Sequence, residues 1–121
     1  MPDSSVILAV GSNRTNLDLL SLQLKREGYE TIKAASLEDL KEAIKTKDNI
    51  ALSLVDVSGF DQSIWSYCEQ LRLYRIPFIV ISPQRSPIIQ RDSMKYGACA
   101  LLVKPLRTKD LLESIHTLLC D

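Results

Sequence analysis

The stretch "VILAVGSNRTNLDLL", Val6 to Leu20, decides how the chain folds. Val6–Val10 is an unbroken apolar run with β-branched residues. It is too short for a buried helix and has no alternation, so it suits a strand covered on both faces. Gly11-Ser12-Asn13 follows as a turn, and Asn13 or Asn16 is placed to cap a helix. Leu17, Leu20 and Leu24 recur at helical spacing, and Gly28 ends that helix as a C′ residue. A buried strand running straight into a helix is half of a βαβ unit, and the junction is where α/β proteins usually mount their chemistry. This junction carries no acid, no histidine and no complete phosphate loop.

The same unit recurs along the chain. Glu30–Ala34 is a more polar strand that belongs near a sheet edge. Ser36 caps a helix with the apolar stripe Leu37, Leu40 and Ile44, and Asp39 stands three residues on in a capping-box position. Ile50–Val55 is a third buried strand ending at Asp56, followed by a turn around Gly59. Ile64, Cys68 and Leu71 line a helix that must stop before Pro77. Phe78–Ile81 is a fourth apolar run, ending at Ser82. Ser86-Pro87 is a helix start and Gly97 a stop. Between them Ile88, Ile89 and Met94 share no clean face, so this helix packs loosely or shows apolar side chains to a partner. Ala100–Val103 is a fifth strand, followed by Lys104-Pro105. Thr108 is placed to cap the last helix, with Leu111, Ile115 and Leu118 at helical spacing. Short crossovers of this kind build an α/β fold, a doubly wound parallel sheet with helices on both faces.

Composition narrows the function. The 121 residues fit one domain, 1–121, able to bury about two-thirds of its unfolded surface without a metal or disulfide staple. The formal net charge is zero, with basic and acidic residues interleaved, which leaves no basic field for direct nucleic acid binding. Cys68, Cys99 and Cys120 form no CxxC unit, and His116 is the one histidine. The pattern fits free thiols in a reducing compartment rather than a zinc site. The "MPDSS" start lacks a basic n-region, and the apolar run after it is too short to span a membrane, so a cytoplasmic location is expected. His116 lies within the last helix with no evident serine or cysteine partner and reads as a surface or boundary residue.

In such sheets the working residues stand at the carboxyl ends of the strands. That rule selects Gly11-Ser12-Asn13, Asp56, Ser82 and Lys104-Pro105, so an acid, a hydroxyl and an ammonium should converge on one edge. Asp56 beside Lys104 forms an opposite-charge pair that either serves chemistry or ties the structure together.

Here the sequence resembles the receiver domain of two-component response regulators, over Val6 to Leu119. The resemblance rests on Asp56 after an apolar strand, "CEQLR" beyond it, Ser82 after "PFIVI", "YGA" before the last strand, and "VKPL". It implies a flavodoxin-like strand order 2-1-3-4-5, a phosphoacceptor at Asp56, a switching hydroxyl at Ser82, a phosphate contact from Lys104, and a cis peptide before Pro105. Three positions depart from the family pattern. Gly11 and Ser12 replace the acidic pair that helps hold Mg²⁺. Leu101 replaces the aromatic residue that swings with the hydroxyl. Phe60 replaces a loop proline.

Mg²⁺ prefers hard oxygen ligands, usually including one or two carboxylates, and Asp56 is the one obvious carboxylate left. No cofactor is therefore expected, with at most weak Mg²⁺ at Asp56. The reading that follows is an atypical receiver, or pseudo-receiver, that works through protein partners such as a histidine kinase or an output domain. It is not an enzyme beyond self-phosphorylation and dephosphorylation at Asp56. Receivers often pair through their last helices and strand, so a homodimer is open. One alternative is a working receiver phosphorylated on Asp56 by a histidine kinase. A second is a module binding phosphate, nucleotide or flavin at Gly11–Thr15 through free N–H groups at a helix start. It lacks both GxGxxG and GxxxxGK[ST].

Overall fold

The computed structural model describes residues 6–46 and 49–119. Five parallel strands alternate with five helices: β1 (Val6–Val10), α1 (Arg14–Arg26), β2 (Glu30–Ala34), α2 (Leu37–Thr46), β3 (Ile50–Asp56), α3 (Ile64–Leu73), β4 (Phe78–Ser82), α4 (Pro87–Lys95), β5 (Ala100–Val103) and α5 (Thr108–Leu119). The strand order is β2-β1-β3-β4-β5. It is the doubly wound, flavodoxin-like sheet, with the order reversing between β1 and β3. The "MPDSS" segment and Cys120 lie outside the described residues.

The apolar runs become strands because the sheet is buried from both sides. Every residue of β1 and β4 is buried. On one face Leu8, Val10, Val55, Phe78 and Val80 meet Leu40 and Ile44 of α2 and Trp65, Cys68 and Leu71 of α3. On the other Ile7, Leu52, Leu54, Ile79 and Ile81 meet Leu24 of α1 and Leu111 and Ile115 of α5. Shortening one of these large side chains to alanine costs about 2–5 kcal/mol. Polar β2 and four-residue β5 stand at the two edges, where exposure is tolerated.

Helix ends follow local chemistry. Asn13 rather than Asn16 is the cap of α1: its Oδ1 accepts from Asn16 N–H at 3.0 Å. Ser36 Oγ accepts from Asp39 N–H at 3.1 Å, while Asp39 Oδ2 reaches back to Ala35 N–H at 3.2 Å, one residue before the usual box partner. Ser86 caps α4 through Ile89 N–H, with Pro87 at the first helical position. The expected cap at Thr108 is not formed. The Arg107 carbonyl accepts the first helical bond, from Leu111 N–H, and Thr108 Oγ1 instead accepts from Gln23 Nε2 of α1. A partner distant in sequence took the hydroxyl.

α4 is apolar outward and polar inward. Its buried residues are Asp92 and Ser93, while Ile88 and Met94 are 57% and 72% exposed. Ile89 packs on the core, and Tyr96 at the helix end stacks on Trp65 at 5.8 Å.

Candidate functional site

Parallel register brings the selected residues to one rim. Val10 pairs with Val55, so Gly11 follows on beside Asp56. Asp56 pairs with Ile81, and Ser82 pairs with Val103, which places Lys104 one residue beyond. The Lys104 side chain reaches back to Asp56, with Nζ 2.6 Å from Oδ2. Side-chain exposures of 29% for Lys104 and 16% for Asp56 put the pair between surface and interior. Water screens it partially, and each charge still needs the other. The Lys104–Pro105 peptide is cis.

The other Asp56 oxygen is engaged as well. Oδ1 accepts from Ser58 N–H at 3.0 Å, an Asx-type turn that folds the start of the β3–α3 loop back on the carboxylate. The Ser58 carbonyl in turn accepts from Ser12 Oγ at 2.8 Å, so the end of β1 is tied to the loop after β3 by a hydroxyl. Gly59, at φ +80°, makes room for it: a Cβ there would lie 2.3 Å from Ser12 Oγ. Sequence reasoning missed Ser58. The available signal was its place two residues after an acid that ends a strand.

Ser82 stands on the same rim, but its hydroxyl does not join the pair. It donates to the Gln84 carbonyl, within its own turn. Leu101 packs against the core, and beside it a groove of about 480 Å³ runs between α4 and β5, lined by Ser93, Met94 and Val103 among others. Phe60, in place of the loop proline, packs against the α2–α3 core cluster. His116 is exposed, and Cys68 is buried, its thiol pushed up to about 12 by desolvation. Cys99 is exposed.

The donor set at the rim is short of the carboxylates that Mg²⁺ prefers. Among the described residues at the strand ends Asp56 is the one carboxylate, and each of its oxygens already accepts one bond. Ser12 Oγ donates to the Ser58 carbonyl. Asp61, farther along the loop, is held by the hydroxyl and N–H of Ser63, which keep its carboxyl below the usual range. Among the described residues no three His, Cys, Asp or Glu side chains cluster for a metal. At Gly11–Thr15, Gly11 N–H donates to the Ala34 carbonyl, and Asn13 and Ser12 are turned to internal partners. A cleft of about 380 Å³ opens at the rim between α1 and the β5–α5 turn, lined by Leu19, Leu20, Gln23, Leu106 and the Asp56–Lys104 pair.

Known proteins share this fold. No model of a known protein family matches the chain. The two-component response regulator ARR10 of Arabidopsis thaliana is 30% identical over 109 residues, 87% of this chain; the chain spans 19% of that relative's length. A CheY-like response regulator receiver domain protein from Methanospirillum hungatei superposes with a TM-score of 0.88 at 28% identity, covering 98% of this chain and 95% of its own. A response regulator receiver protein from Pseudomonas putida gives 0.87 at 23% identity, covering 97% and 99%. The fold and these likenesses are those of a receiver-domain signalling module. The chain is a CheY-like receiver domain of the response-regulator class. Among the described residues no helix is long and apolar enough to cross a membrane.

Proposed function

We propose that the chain is an atypical receiver that signals by protein–protein contact, with Asp56 held by Lys104 instead of by a shared Mg²⁺. The observation that carries this reading is the closed circuit at the rim. Lys104 and Ser58 take both Asp56 oxygens, and Ser12 ties β1 to the same loop where an acidic pair would otherwise face a metal. Phosphoryl transfer to a carboxylate brings anion against anion, and a metal normally offsets much of that repulsion. A single ammonium already committed to Asp56 offers less. Partners of the kind that receivers serve, a histidine kinase or an output domain, would dock on the rim, where Leu19 of α1, 61% exposed, lines the cleft. Free Cys68 and Cys99 accord with a reducing cytoplasm.

Incubation with a small acyl phosphate, with and without Mg²⁺, tests this by intact mass and peptide mapping. The expected result is no modified peptide containing Asp56 in either arm. A phosphorylated Asp56 peptide formed at a useful rate with Mg²⁺ would overturn it. A working receiver is the second reading, favoured by Asp56, Ser82 and Lys104 standing together on one rim.

A further inference from the structure

The opposite pole of the sheet, at the amino ends of the strands, carries a second surface that the rim does not use. α3 ends in Arg72-Leu73-Tyr74-Arg75, and all four residues are exposed. Leu73 is the most exposed large apolar residue described, at 75%, and Tyr74 follows it at 57%. The helix closes as a Schellman turn: Ile76 N–H donates to the Leu71 carbonyl at 2.9 Å and Arg75 N–H to the Arg72 carbonyl at 3.0 Å. The C′ position of that turn favours glycine. Here it holds Arg75, at φ +63°, the one non-glycine residue with positive φ among those described. A bulky residue in that conformation is a local misfit, and such misfits concentrate where a side chain is used.

Arg72 and Arg75 flank a groove of about 260 Å³ with an apolar floor of Ile76, Pro77 and Phe78. Its far wall is Gly97, where a Cβ would lie 2.9 Å from Arg72 Cδ, so the absence of a side chain lets the arginine stem lie across the α4–β5 turn. No acid lines the groove among the described residues, and neither guanidinium has an ion-pair partner among them. Arginine and tyrosine are residue types enriched at protein interfaces, and here they stand beside an apolar floor.

We propose that this pole is a docking surface for an acidic protein segment that carries an apolar anchor. Two unpaired guanidiniums on one short arc select carboxylates, and the floor and the exposed Leu73 and Tyr74 select the anchor. A second copy docking by its own equivalent surface would set arginines against arginines. The surface stands apart from Asp56 and Lys104 in sequence and at the other end of the strands. The chain would thus hold a partner whatever the state of its rim.

The test titrates the ¹⁵N-labelled 121-residue chain with the peptide Glu-Glu-Phe-Glu-Glu, with its lysine counterpart Lys-Lys-Phe-Lys-Lys, and with a short uridine oligonucleotide. Amide shifts from the acidic peptide should cluster on Arg72–Ile76 and Gly97–Cys99 and weaken with salt. Arg75→Gly fits the αL turn and removes the guanidinium with its stem; it should weaken binding about tenfold while leaving the spectrum elsewhere intact. Lys104→Met should leave this binding unchanged, which separates the two surfaces: failure here says nothing against the closed rim. Shifts that are absent, scattered, or equal with the lysine peptide or the oligonucleotide would overturn the proposal. So would concentration-dependent broadening of the same amides without peptide, the mark of self-association.

Discussion

The two sides of the carboxyl rim have parted company. On the β3–β5 side the acid and the ammonium stand 2.6 Å apart, and the turn after β3 wraps back onto the carboxylate. On the β1 side Gly11 and Ser12 bring no charge. One of them instead contributes a hydroxyl that bonds to the loop of the opposite side. A neutral hydrogen bond spans the two sides, and the Lys104 ammonium faces the Asp56 carboxylate. On the proposed reading, keeping the acid is not the same as keeping its use. An Asp56 surrounded by other acids is held under repulsion and gains from a cation, whereas an Asp56 already paired has little left to gain.

The largest effect should come from breaking the charged side. Lys104→Met leaves Asp56 with one N–H donor in a partly closed site. The loss should be about 2 kcal/mol in unfolding free energy, between the roughly 1 kcal/mol of a surface pair and the 3–5 kcal/mol of a buried one. Urea unfolding at neutral pH measures it, and a change within error of zero would mean that water carries Asp56 unaided. Recharging the β1 side should come next. Gly11→Asp with Ser12→Asp is sterically open, since a Cβ at Gly11 would meet Asp56 Cβ and Leu17 Cδ1 at an ordinary 3.7 Å. Without metal the added like charges should lower stability by about 1 kcal/mol. Millimolar Mg²⁺ should restore it, by the linkage between binding and folding. A double variant indifferent to Mg²⁺ would show that the side chains present do not decide metal affinity.

Removing only the neutral bridge should cost less. Ser12→Ala deletes one hydrogen bond at an exposed position, worth about 0.5–1.5 kcal/mol. Amide exchange at Ser58 and Gly59 should quicken more than exchange in β3. Unchanged exchange there would mean that the bridge does not hold the loop. The smallest effect is the wild-type chain in Mg²⁺: millimolar metal should leave its melting temperature and its Trp65 fluorescence unmoved. A saturable response below millimolar would contradict the account of the β1 side.

Much of this was legible in the residues, for physical reasons. Val6–Val10 and Phe78–Ile81 announce strands because a parallel sheet covered on both faces requires apolar residues at successive positions. Asp56 and Lys104 were legible as a pair because each directly ends or follows a strand of one parallel sheet, and parallel strands place their carboxyl ends together. The hydroxyls were not. Ser82 turned to Gln84 within its own turn, Ser12 crossed to Ser58, and Thr108 bonded to Gln23 on another helix. A serine or threonine hydroxyl has several acceptable partners of similar energy, local and distant, and sequence spacing does not rank them. α4 was legible as the odd helix, but not that Asp92 and Ser93 would be its inward side.

The most direct test of the closed rim is a double-mutant cycle on unfolding free energy with Asp56→Asn, Lys104→Met and the pair together. Each single change should destabilise. The double variant should recover much of the loss, because no lone charge remains, giving a coupling of about 1–2 kcal/mol. Coupling near zero, or an Asp56→Asn chain more stable than the wild type, would contradict the account and mark Asp56 as the strained acid of a working phosphoacceptor site.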